Sequence, residues 1–165
     1  MKYDPNEHVK EVYAHFGLAL YLAQVLEHGL VIALVYADLY PNVKSHQKNE
    51  DFDLFMDKHF ATTMGQMIKN FQKYVSVPPE LEAVLLEACG KRNWLAHHYF
   101  RERAEAFMKE DGRVKMVAEL QGTQALFEHA EKLLDEVTRP LRERFGFTDE
   151  KLDEYYKQYV AKICP

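Results

Sequence analysis

The stretch KRNWLAHHYFRER, Lys91 to Arg103, gathers side chains suited to moving protons and binding phosphate. Histidine as a residue type can pass a proton in either direction, which makes His97 the candidate for proton transfer. Arg92 keeps its charge and can fork onto phosphate oxygens as charge develops there. Asn93 can hold a hydroxyl or a ring nitrogen in place. Together they suit attack on a phosphodiester by the neighbouring 2′-hydroxyl of RNA, a reaction that supplies its own nucleophile and needs no metal.

The spacing is helical. Asn93, His97 and Arg101 are four apart and form one stripe. Arg92 lies about 100° from Asn93 around the axis, but its long side chain can swing toward the stripe. The segment carries a local charge of +3 before either histidine is protonated, against −5 for the whole chain. Lys91, His98 and Arg101 are therefore candidate substrate contacts. Trp94 reads as core or dimer interface rather than as a platform for a base, and Leu95 and Ala96 as core. Glu27, in the polar strip Gln24, Glu27, His28 of an earlier helix, is a candidate for orienting His97 or Arg92. The plainer alternative is a solvated basic face formed by Lys91, Arg101 and Arg103, with Asn93 and His97 satisfying a neighbouring helix.

Metal chemistry is the rival reading. Glu11 with His15 and His98 with Glu102 have one-turn spacing, but no paired Glu-x-x-His pattern and no closed His/Cys set accompanies them. No metal or cofactor is expected.

The elements that must position these residues read as helices throughout. Val12, Phe16, Ala19, Ala23, Leu26, Leu30 and Leu34 step by three and four, and a second apolar line (Leu18, Leu22, Val25, Ile32, Tyr36, Leu39) runs beside it. A helix so apolar on two sides is buried on two sides, by its own bundle or by a partner subunit. Leu18 to Tyr40 is long enough to span a membrane, but Gln24, Glu27 and His28 near its centre favour the core of a soluble bundle. Thr62 or Thr63 is a candidate N-cap for the segment that follows. Residues 76–112 read as one long helix, with proline and acids in its first turn, a weak point at Gly90 and Gly112 past its end. Pro140 should kink or end the next helix and Gly146 should stop it; Thr148 caps a terminal helix.

No period-two alternation, hairpin signal or phosphate-binding glycine loop interrupts this pattern. With 165 residues, 47% hydrophobic content and few glycines and prolines, the chain is expected to be one all-α domain, residues 1–165. Four or five helices would form a core over about residues 6–146, with a C-terminal helix near 148–163. The acidic balance argues against bulk coating of nucleic acid, though not against a local basic cleft. Two distant cysteines and an N-terminus without a signal-like apolar run suit a cytoplasmic protein.

The segment RNWLAHHYF resembles the arginine, polar residue, three residues, histidine signature of the HEPN superfamily, with Arg92, Asn93 and His97 at the matching positions. The resemblance is specific over those nine residues; FGLALYLAQVLEHGL is similar, more loosely, to a first core helix of some members. It implies a small helical bundle that forms a homodimer, with the arginine and histidine of both subunits meeting in one cleft. It also implies metal-independent RNA cleavage, with His97 transferring the proton, Arg92 clamping the phosphate and Asn93 orienting them. Many members act in toxin–antitoxin or defence systems, where an antitoxin or regulatory protein would be a partner. Other members are catalytically silent, so a helical dimer that binds protein or nucleotide stands as the alternative.

Overall fold

The computed structural model describes residues 7–42 and 48–164. These are helical, with no strand among them. The first helix, α1 (Glu7–Leu34), passes through a π-helical turn, Val35–Leu39, and ends in Tyr40–Asn42. Then come α2 (Lys48–Phe60), α3 (Met64–Tyr74), α4 (Pro79–His97), the short turns α5 (Tyr99–Glu102) and α6 (Ala104–Phe107), the long α7 (Glu110–Glu143) and α8 (Asp149–Ile163).

The pairing of α1 with α7 is the spine of the fold, and α3 and α4 close over one side of it. The first apolar line of α1 supplies the core: Val12, Ala19, Ala23, Leu26, Leu30 and Leu34 are buried, and Phe16 is nearly so. Against them pack Met116, Leu120, Phe127, Ala130 and Leu134 of α7, Leu81, Leu85, Ala88 and Leu95 of α4, and Met64, Met67, Ile68 and Phe71 of α3. Burial of such rows, not helix propensity, is what holds long helices together. Buried Gln124 on α7 adds a polar tie, donating to the His15 carbonyl of α1 at 2.8 Å. The second apolar line behaves differently. Leu39 is buried, but Leu22, Val25, Ile32 and Tyr36 are half-buried and Leu18 is exposed.

Glu7–Asn42 is long and apolar enough to cross a membrane, and 44% of its most apolar window is buried by the rest of the chain. Its position between α3, α4 and α7 agrees with the reading of a central bundle helix.

Boundary chemistry follows the expected residues at several ends. Thr63 caps α3 by accepting from the Gln66 N–H, and Pro79 opens α4. Thr148 caps α8 through the Lys151 N–H. Gly146, at φ +82°, ends α7 in a Schellman turn: the Phe147 N–H reaches the Arg142 carbonyl and the Gly146 N–H the Glu143 carbonyl. Pro140 does not end α7, which continues to Glu143. Buried Arg142 secures that last turn, bonding the Phe147 carbonyl at 2.7 Å and pairing with Asp149.

The long helix expected over residues 76–112 is not continuous. Gly90 stays helical, and α4 instead ends at His97, where His98 leaves the helical region (φ −130°, ψ −24°); Arg103 breaks the chain again (φ −103°, ψ 10°). The cause is tertiary. Tyr99, 1% exposed, stacks on Phe16 and meets Trp94 edge-on, while Phe100 packs on Phe16, Tyr13 and Phe107. Arg103 turns to meet Glu119 of α7 through two bonds of 2.8 and 2.6 Å. Gly112, expected past the helix end, lies in the first turn of α7 against α6. A Cβ there would sit 2.1 Å from the Ala106 carbonyl oxygen, so the crossing requires glycine.

Candidate functional site

The last turns of α4 present the candidate residues on two different sides. Arg92 faces α1. Its Nε lies 2.8 Å from Glu27 Oε1, and its Nη1 donates to Asn93 Oδ1 at 3.2 Å. With Leu20, Ala23, Gln24 and Ala96, this pair lines a recess of about 160 Å³ between α1 and α4. The Glu27 side chain is mostly covered and the Arg92 side chain about one-third exposed, so the arginine is held by α1 while remaining partly open to solvent. Glu27 thus meets Arg92, one of its two expected partners. Its strip-mate His28 turns elsewhere, against the Phe60 ring at 5.0 Å.

Asn93 and His97 share an exposed stripe at the C-terminal end of α4. His97 makes no hydrogen bond or ion pair among the described residues; its ring lies 6.2 Å from that of His98. Arg92 and His97, five residues apart, diverge by about 140° around the helix axis. The recess that holds Arg92 does not include His97.

The other candidates are engaged locally. The expected Asn93–His97–Arg101 stripe is broken at His98, so Arg101 sits on a separate turn and bonds His98 at 2.9 Å. Arginine can only donate, so His98 Nδ1 accepts and the proton of the neutral ring is on Nε2. Lys91 lies over the Trp94 ring at 4.9 Å, Arg103 over the same ring at 5.1 Å, and the indole N–H donates to Glu102 at 2.8 Å. Trp94, expected in the core or a dimer interface, is instead half-buried at the edge of the core and covered by cations of its own chain. Ala96, expected in the core, is exposed on the rim of the Arg92 recess.

No family model matches this chain. Nor does any curated protein or solved structure match it significantly. The functional reading therefore stands on the residues and their geometry.

A second polar recess, about 200 Å³, lies among Asp38, Lys58, His59, Thr62, Asn70, Lys73 and Tyr74 and was not anticipated from sequence. His59 is 6% exposed, and its Nδ1 has no partner among the described residues. Burial, then the nearby Lys58 charge, pushes its pKa down, against the opposing pull of Asp38. The Asp38 carboxylate accepts from Tyr74 and holds that phenol above its ordinary value. The contributing segments, DKHF and NFQKY, carry no shared motif, and the π-turn that holds Asp38 has no local sequence signature. Among the described residues, no group of three or more His, Cys, Asp and Glu side chains converges as a metal site would require.

Proposed function

We propose that this chain is a metal-independent endoribonuclease of HEPN type, acting as a cytoplasmic homodimer. The observation that carries the reading is the division of labour at the end of α4. Arg92 is held against α1 by Glu27 and braced by its neighbour Asn93, with its side chain partly open to solvent, while His97 is exposed and unpartnered at the helix end. A fixed cation suits a phosphate clamp, because its orientation need not be recovered in the transition state. A solvent-facing imidazole suits proton transfer to or from an RNA 2′-hydroxyl or 5′-oxygen.

Within one chain the two groups diverge, so the reaction calls for a second copy whose α4 faces the first across a two-fold axis. Arg92 of one protomer and His97 of the other would then flank a single phosphodiester. The products would be a 2′,3′-cyclic phosphate and a 5′-hydroxyl. Lys91 and Arg101 supply positive charge along the approach, and His98 offers its Nε2–H. An exposed, ungated histidine of this kind suits a protein restrained by a partner, as in toxin–antitoxin or defence pairs.

A second reading is favoured by the same ion pair: Glu27 offsets the Arg92 charge, which suits a catalytically silent dimer that recognises protein or nucleotide. The deciding experiment incubates purified protein with end-labelled RNA in excess chelator, alongside His97→Ala and Arg92→Ala. Cleavage by wild type alone, with cyclic-phosphate ends, supports the nuclease. Equal cleavage by all three removes these residues from the mechanism. Absence of cleavage throughout favours the silent dimer.

A further inference from the structure

The terminal helix α8 leaves the bundle with an apolar face that, apart from Leu152, no other described helix covers. None of its residues is buried, and it makes no extensive contact with another helix. Leu152, Tyr155, Tyr156, Tyr159 and Ile163 recur at helical spacing, and they are 36, 57, 69, 62 and 55% exposed. Large apolar faces of this kind on soluble helices mark contact sites.

The opposite feature lies on the bundle itself. Between α1 and α7 runs a groove made of two contiguous hollows, about 350 and 450 Å³, which share Gly29, Ile32 and Glu131. Along α1 it extends from Tyr21 to Tyr36, following the second apolar line that the bundle leaves half-covered. By the helical rise that span is about 22 Å, the same as the length of the 15-residue α8.

The chain cannot fill its own groove. Arg142 and Arg139 both engage Asp149, and the Schellman turn at Gly146 fixes the start of α8. Leu152 alone of the α8 stripe lines the groove wall. We propose that α8 of one copy lies in the α1–α7 groove of a second copy, and that the exchange is reciprocal about a two-fold axis.

Charge and area favour a second copy as the occupant. On the helical period, Lys151 and Lys162 flank one edge of the α8 stripe, and the α7 rim of the groove carries Glu131, beside an Asp135 already paired with Arg139. With aromatic side chains burying roughly 150–250 Å² each, the exposed part of the stripe offers on the order of 500 Å². The groove contributes less than half of that, and the two-fold axis doubles the sum, which falls in the lower part of the ~1,200–2,000 Å² of stable interfaces. Gln24 lines both the groove and the Glu27–Arg92 recess, so the docked helix comes close to the site assigned above.

This assigns a dimer interface on the α1–α7 side of the bundle, and it holds whether or not His97 cleaves RNA. Sedimentation equilibrium of the full chain should give twice its 19.4 kDa mass. Tyr155→Asp with Tyr159→Asp should raise the dimer Kd at least tenfold, with circular dichroism showing retained helix, while His97→Ala should remain dimeric. Photocross-linking from p-benzoylphenylalanine in place of Tyr159, in mixed isotope-labelled dimers, should mark the Ile32–Tyr36 or Glu131–Asp135 region of the other copy. A monomeric wild type, a double variant as dimeric as wild type, or cross-links confined to the same chain would each overturn the proposal.

Discussion

Removing Arg92 and removing Glu27 should not cost independent amounts. The two groups lie 2.8 Å apart, with the Glu27 side chain 17% and the Arg92 side chain 35% exposed. Arg92→Ala leaves a mostly covered carboxylate without its cation, a penalty of about 1–3 kcal/mol. Exposed ion pairs contribute ~0–1 kcal/mol, whereas breaking a buried pair costs ~3–5 kcal/mol. A pair with one covered member and one partly solvated member falls between, at a coupling of about 1–2 kcal/mol. For a chain of this size each kcal/mol moves Tm by about 2–4 °C. Arg92→Ala should therefore lower Tm by about 2–8 °C, and adding Glu27→Gln to it should restore part of that loss. Urea unfolding of wild type, both single variants and the double variant closes the cycle. If the single losses add to within about 0.3 kcal/mol, the pair is not coupled and Glu27 does not hold the clamp.

Three other outcomes follow from particular contacts. Gly112→Ala forces a Cβ against the Ala106 backbone, so unfolding stability should fall by about 3 kcal/mol or more, read from denaturant midpoints. His97→Ala touches an exposed, unpartnered ring, so its stability should stay within about 0.5 kcal/mol of wild type even if cleavage is lost. His59 has a folded pKa below its ordinary 6.5, so its contribution to stability is present above pH 6.5 and is lost as pH falls through the lowered folded value. Stability measured downward from pH 7 should decline in that window, and His59→Gln should flatten the decline; an unchanged slope would remove His59 as its source.

Local chemistry was legible wherever a few adjacent residues decide the outcome. Thr63, Pro79, Gly146 and Thr148 mark helix ends through caps, a fixed φ and a positive φ that neighbouring residues cannot override. The first apolar line of α1 was legible because a helical period maps directly onto one buried face. Residues 76–112 misled because their propensity is helical throughout, while Tyr99, Phe100 and Arg103 must reach partners on α1 and α7 that no local pattern names.

By itself, then, the sequence determined an all-helical chain, several of its boundaries and the placing of Arg92, Asn93 and His97 on one helix, but not that this helix ends at His97. Tertiary structure alone decided that Arg92 pairs with Glu27, that His97 stands apart from that recess, and that Arg101 is carried onto another turn. It also decided that the second apolar line of α1 stays half-covered, because α7 and α4 close over only the first. The physical reason is range. Periodicity and capping act within one or two turns, whereas ion pairs and aromatic packing join residues tens of positions apart and can outweigh the fraction of a kcal/mol per residue that helix propensity supplies.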